Sequence, residues 1–217
     1  MDKPTFIIKL YGSAALLVEW DYAIHPEITF QVQALYKYLS LEQSLSIIEL
    51  VPAYQSLLII FQSEMINSQS IIDKIISFVP EKNESYPDVT IWKIPIIYDK
   101  PDCPDIQALL HYTQLDYHTM IHKHMDTIYN VNFIGFLPGF LYLSDMDPSL
   151  TMPRKKIPDL YMPKGSVAIG GMQTGIYPEQ SPGGWHRIGQ VDINLFDPYQ
   201  EPYCKVKPGD SIRFVEM

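Results

Sequence analysis

The chain has 217 residues, 47% of them hydrophobic and 19% charged, a balance that excludes a disordered protein and allows one large domain or two small ones. Its formal charge of −9 is uneven: residues 1–134 hold 8 Lys/Arg against 16 Asp/Glu, and residues 135–217 hold 8 against 9, so the amino-terminal part repels nucleic acid and anionic lipid. Two cysteines, Cys103 and Cys204, supply neither a disulfide framework nor metal-ligand spacing, which fits a reducing, cytoplasmic setting. The longest apolar run, residues 133–143, is too short to span a bilayer and is broken by glycine and proline, and the start MDKPTFIIK lacks the features of a signal peptide.

In chain order, residues 6–10 and 15–20 alternate as strands around a turn at Gly12-Ser13. From Ile28, the apolar positions Val32, Leu35, Tyr36 and Leu39 fall at helical spacing. Strands are expected at 45–51 and 57–61, followed by an amphipathic helix carried by Ile71, Ile72, Ile75, Ile76 and Val79. The order ββαββα predicts a small antiparallel sheet with helices on one face, a ferredoxin-like arrangement in an α+β protein. The polar stretch at 81–88 places a domain boundary, giving domains at 1–87 and 88–217. A strand at 89–98, two short helices with Asp105 and Asp116 as N-caps, and a strand at 128–136 come next. Short strands between turns fill the remainder, with a type II turn at Pro208-Gly209, and this pattern predicts a barrel.

Ten of the eleven glycines lie from Gly135 onward, and nine of them, with seven prolines, crowd into residues 135–189. Glycine serves a positive φ or a close approach, and proline fixes φ, so this block is shaped for more than turning. Within it, Gly170, Gly171, Gln173, Thr174 and Gly175 fit either a nest of backbone N–H groups aimed at an anion or a bulged hairpin at a barrel corner. No Gly-x-x-x-x-Gly-Lys-Ser/Thr phosphate loop occurs.

The runs GFLPGFLYL (135–143), PKGSVAIGGMQTGIYPEQSPGGW (163–185) and LFDPYQEP…KPGDSIRF (195–214) resemble the 5-oxoprolinase B-subunit family, which includes sporulation-kinase inhibitors and was formerly called allophanate hydrolase subunit 1. The resemblance covers nearly the whole chain and implies a cyclophilin-like barrel. It departs at Asp159, where an arginine is usual, at Gln190-Val191 in place of Arg-Thr, and in the short segment YDKPDCPDI.

Arg154, in Pro153-Arg154-Lys155-Lys156, matches the family motif and suits a two-pronged grip on a carboxylate, whereas Lys155 and Lys156 read as solvated. Lys164 is held by a turn that can aim it inward. Ser166 and Ser181 sit among the candidate binding residues, although turn hydroxyls are the commoner case and no Gly-x-Ser-x-Gly elbow surrounds them. Tyr177 and Trp185 either stack on a ligand or fill the barrel mouth. His124, placed as the family's histidine before GFLPGF, is the candidate catalytic acid or base, with a helix-end bond to a free carbonyl as the alternative. His118 and His122 have i, i+4 spacing without a third ligand, so no metal site is expected. Phe136, Leu137, Pro138, Phe140 and Tyr142 form an apolar surface expected to meet a partner.

The resemblance implies a protein that is inactive alone and joins a homologous C component and an A component to open 5-oxo-L-proline to L-glutamate at the expense of ATP, with the nucleotide shared between chains. Two other readings are an inhibitor of a sensor histidine kinase and a carboxyltransferase-like module acting with a biotin-bearing partner.

Overall fold

The computed structural model describes residues 6–21, 26–42, 45–62, 68–79 and 90–217, so the boundary stretch expected at 81–88 lies outside the described residues. The chain divides into two compact units, Met1–Pro87 and Asp88–Met217.

The first unit runs β1 (Phe6–Leu10), β2 (Ala15–Trp20), α1 (Pro26–Ser40), β3 (Ile47–Pro52), β4 (Ser56–Phe61) and α2 (Ser68–Ser77). Its sheet has the order β1-β2-β4-β3 with every pair antiparallel. Period-2 alternation turns Leu16, Val18 and Trp20 of β2 and Leu57, Ile59 and Phe61 of β4 to one face. Against that face pack Ile28, Val32, Leu35 and Leu39 of α1 and Ile71 and Ile75 of α2, the positions that helical spacing singled out. The described order is ββαββα, whereas ferredoxin-like folds run βαββαβ.

The second unit is a seven-stranded closed barrel in the order β10-β7-β6-β13-β5-β12-β9. Its strands are β5 (Ile91–Tyr98), β6 (Tyr129–Ile134), β7 (Leu141–Ser144), β9 (Ser166–Gly170), β10 (Gln173–Ile176), β12 (His186–Gln190) and β13 (Ser211–Glu216). Between β5 and β6 lie α3 (Pro104–Thr113) and α4 (Tyr117–Asp126), and β8 (Asp159–Met162) pairs with β11 (Ser181–Gly183) as a separate ribbon. Ile94, Ile96, Val131, Leu143, Val167, Ile169, Ile176, Ile188, Ile212 and Phe214 belong to its core. The pair β13–β5 is parallel, and buried Asp210 anchors it, accepting bonds from Trp92 Nε1 at 2.9 Å and Thr90 N–H at 3.2 Å. The turn before β13 has Gly209 at φ +92° and closes with Asp210 N–H on Lys207 O at 3.0 Å, as a type II turn requires. Among the described residues no helix is long and apolar enough to cross a membrane.

The two expected caps part company. Asp116 caps α4, accepting from Thr119 N–H at 3.0 Å. Asp105 does not cap α3: Cys103 holds the N-cap position without a side-chain bond, and Asp105 lies in the first turn, where its carboxylate is drawn elsewhere. Asp116→Ala should therefore cost about 1 kcal/mol in denaturant unfolding, the usual value of an exposed cap; an unchanged midpoint would show the cap to be idle.

Candidate functional site: an aromatic cavity with one unpaired cation

Residues Gly170 to Gly175 form a tight hairpin between β9 and β10, with Gly170 opposite Gln173 and Gly171 at φ +67°. The Gly171 N–H is consumed by Met152 O at 2.7 Å, and Met152 N–H returns a bond to Gly171 O at 3.1 Å. The anion nest is thus replaced by the corner hairpin, because the amide that would lead the nest closes a bridge to Met152. Two of these glycines serve a close approach instead. A Cβ on Gly170 would lie 2.5 Å from Trp185 Cδ1, and one on Gly175 would lie 2.9 Å from Trp185 Cζ3 and 3.0 Å from Phe140 Cζ. The indole therefore lies flat on bare backbone, its pyrrole end over Gly170 and its benzene end over Gly175.

Trp185 is the floor of a cavity of about 350 Å³ whose walls include Phe136, Phe140, Tyr142, Tyr177 and Arg154. Phe140 stands edge-on to Trp185 at 5.6 Å and to Tyr177 at 4.9 Å, and Tyr142 meets Trp185 at 5.8 Å. Such T-shaped contacts between ring edge and ring face fix the walls relative to one another. Burial, the largest influence, pushes the Tyr177 hydroxyl up to about 12 and also raises Tyr142. The Arg154 guanidinium lies 5.7 Å over the Trp185 ring, within cation–π range. It is solvent-exposed, and among the described residues no carboxylate pairs with it.

Residues expected in two separate roles, ligand binding (Arg154, Tyr177, Trp185) and partner contact (Phe136, Phe140, Tyr142), share this one cavity. Phe140 corrects the expectation of an exposed contact residue: it is 1% exposed and part of the wall. Phe136 is 60% exposed and has φ +69°, with Leu137 N–H bonded to Gly135 O at 2.8 Å. An i to i+2 bond around a non-glycine residue at positive φ is a strained γ-turn, and it places an aromatic ring at the cavity rim. Pro138 is exposed in the same turn, and Leu137 packs on the aromatic cluster.

Behind the cavity lies an ionic node that the sequence did not announce. Lys155, read as solvated, has a side chain only 14% exposed, and its Nζ lies 2.6 Å from Asp105 Oδ1 and also bonds Asp159. Asp105 Oδ2 accepts from Arg187 N–H at 2.8 Å, and its other oxygen lies 3.8 Å from His186 Nδ1. Burial alone would raise Asp105, but the Lys155 ammonium and the Arg187 backbone N–H outweigh it and hold the carboxyl down to about 2. Arg187 in turn pairs with Asp99 at 3.0 Å. Nothing local announced the Lys155–Asp159 pair: the segment between them is not helical, so spacing alone does not bring the two side chains together.

His124 is 0% exposed. Its Nδ1 is 2.7 Å from Tyr98 Oη and its Nε2 is 3.2 Å from Thr174 Oγ1, which itself donates to Ala168 O at 3.1 Å. Since the Thr174 proton is committed to Ala168, Nε2–H donates to Thr174 and Nδ1 accepts from Tyr98, which assigns the neutral tautomer from the network. The ring also stacks on Phe214 at 4.7 Å, and burial lowers its pKa from 6.5 to about 3. A neutral imidazole with both nitrogens engaged by side chains supports the architecture rather than standing ready as the expected acid or base. The helix-end alternative differs too, since the ring bonds side chains and it is the His124 carbonyl that accepts, from Tyr129 Oη at 2.9 Å.

The other candidates lie outside the cavity. Lys164 is exposed and pairs with Glu179 at 2.5 Å, on a separate cleft with Asp99 and Arg187. Ser166 Oγ donates to Pro163 O and Ser181 Oγ to Pro182 O, so both hydroxyls are engaged by nearby backbone. Thr174 belongs to the His124 chain, and Gln173 is buried on β10 opposite Gly170. His118 and His122 are exposed on α4, and no group of three metal-type side chains forms among the described residues.

Two outcomes follow from this geometry. Gly170→Ala should displace the indole, seen as a red-shifted Trp185 emission, whereas Gly171→Ala meets open space and should cost only the strain of a left-handed alanine, about 1 kcal/mol. Matching spectra in the two variants would remove the glycine floor. For His124 the sign runs from the unfolded state, which binds a proton below about pH 6.5 while the fold resists it until about pH 3. Stability should therefore fall as pH drops through that window, by up to about 1.4 kcal/mol per pH unit from this group. His124→Gln should flatten that slope in denaturant titrations from pH 7 to 4, and identical slopes would contradict the burial effect.

Comparison with known proteins gives a consistent assignment. The family model described as carboxyltransferase domain, subdomain C and D, matches residues 6–206. The 5-oxoprolinase B subunit of Escherichia coli O157:H7 is 32% identical over 210 residues, spanning 95% of this chain and 94% of the relative. That of Bacillus subtilis strain 168 is 29% identical over 221 residues, spanning 97% and 92%. The crystal structure of TTHA0988 superposes with a TM-score of 0.82 at 26% identity over 97% of this chain, which spans 40% of that longer one. With the family's domain matched from β1 to residue 206, short only of the last barrel turn and β13, and both relatives carrying one name over more than nine-tenths of their length, the chain belongs to the 5-oxoprolinase B-subunit family.

Proposed function

We propose that this chain is the B component of a cytoplasmic, heteromeric, ATP-dependent 5-oxoprolinase, acting only with a homologous C component and an A component to open 5-oxo-L-proline to L-glutamate, and that its barrel is of the cyclophilin-like type. The observation that carries this reading is the unpaired Arg154 guanidinium over Trp185 at the mouth of an aromatic cavity. A small flat ring bearing a carboxylate suits it: the ring packs on indole and phenol faces, and the carboxylate meets the planar fork of the arginine. Opening a lactam is uphill, so coupling to phosphorylation of the amide oxygen requires groups that position phosphate and move protons. On this reading those groups, and the ATP site, belong to the partner chains or to the seam with them, and this chain binds and orients the substrate. The naming of both relatives as one component of a 5-oxoprolinase supports a multi-chain assembly.

The exposed Phe136, together with Ile157, Leu160 and Tyr161 at 84%, 89% and 60% exposure, favours a second reading in which the apolar rim grips a protein helix such as that of a histidine kinase.

Purified alone, the chain should hydrolyse neither ATP nor 5-oxoproline, and adding the C and A components should restore ATP-coupled glutamate formation. In that complex Arg154→Lys should raise KM, because lysine cannot make two parallel bonds, and Arg154→Ala should cost about 1.5–3 kcal/mol in kcat/KM. Wild-type kinetics in both variants would remove Arg154 from the site. Tight binding to a kinase with no assembly on the C component would favour the second reading.

A further inference from the structure

Arg154 projects from an exposed loop, yet its guanidinium is placed 5.7 Å over a ring that is itself rigidly seated. The residues on either side of it are held by one carboxylate. On the amino-terminal side, Pro153 O accepts from His186 Nε2 at 3.0 Å. On the carboxy-terminal side, Lys155 N–H donates to Gly184 O at 2.7 Å, and the Lys155 ammonium is 2.6 Å from Asp105 Oδ1. Asp105 reaches both sides at once: it binds Lys155 directly, and through the Arg187 N–H at 2.8 Å it fixes the start of β12, where the adjacent His186 holds Pro153. Asp105 itself is not among the residues lining the cavity.

Charge points the same way. Lys155 lines the cavity, but Asp105 and Asp159 engage its ammonium from behind, leaving Arg154 as the uncompensated cation there among the described residues. A ligand with a single carboxylate then meets one cation in one orientation.

We propose that Asp105 is a positioning residue for Arg154, locking the loop 153–155 so that the guanidinium lies over Trp185, and holding Lys155 out of the binding event. This rests on the cavity being the carboxylate site proposed above, but the indole comparison that decides it does not.

The chain has three tryptophans, so its indole ¹⁵N–¹H spectrum has three side-chain signals. Those of Trp20 and Trp92 are tied to Gln31 and Asp210, neither of them a member of the node. In the full-length chain, Asp105→Asn should move the Trp185 signal toward its position in Arg154→Ala and leave the other two in place. The double variant should match Arg154→Ala, and Asp105→Glu should return the signal part of the way. Titration with 5-oxoproline should show affinity weakened about tenfold by Asp105→Asn, the size expected for a misplaced charged hydrogen bond, and not further weakened when Arg154 is already alanine. A Trp185 signal unmoved by Asp105→Asn overturns the proposal, and so do three signals that shift together, which mark general loosening of the barrel. If 5-oxoproline perturbs nothing in the wild-type chain, the substrate reading falls while the indole comparison still decides the role of Asp105.

Discussion

The contact between the Trp185 indole and the bare backbone of Gly170 and Gly175 is the constraint on which the candidate site depends. A side chain at either glycine would stand under 3 Å from the ring, so the two positions must lack one if the ring is to lie against the β9–β10 hairpin. With the indole flat on the barrel wall, Phe140 and Tyr142 meet it edge-on, Tyr177 meets Phe140, and a cavity remains between them. Each wall is held by a neighbouring ring, so the site is set by packing before any ligand arrives.

Electrostatics then selects which cation faces that cavity. Lys155 and Arg154 are adjacent in sequence but end in opposite states, one clamped by Asp105 and Asp159, the other free of carboxylates among the described residues. A buried carboxylate is stable as an anion only when donors surround it, and Asp105 has the Lys155 ammonium and the Arg187 N–H bonded to it. The same node joins α3, the loop after the 3-10 turn at Pro148–Leu150, β8 and β12, so the outer ribbon and the barrel wall share one anchor. Inside the barrel, the Tyr98–His124–Thr174–Ala168 chain performs a comparable task without charge: every polar atom on it finds a partner, so an imidazole can be buried neutral beside Phe214.

Much of the fold was legible in the residues because it rests on local patterns. Alternation marked β1, β2 and β4, and the spacing of Ile71 and Ile75 marked α2, since each element buries one face and the burial period is set by its own backbone. Asp116 was legible as a cap because a cap acts within three residues. Asp105 looked like a cap for the same reason and was not one, because Lys155, 50 residues on, and Arg187, 82 residues on, drew its carboxylate away.

The sequence by itself determined most of the elements, a barrel, the family and the block that holds the candidate site, because glycines and prolines gathered at 135–189 carry their backbone consequences wherever the chain goes. Only the tertiary structure decided what that block is for. It turned the glycines from an anion nest into a seat for Trp185, since Met152 reached Gly171 first, and it enclosed His124 and Phe140, which composition left equally free to be exposed. It also separated Arg154 from Lys155. Those outcomes depend on which distant groups arrive within 3 Å of each other, and no local period encodes that.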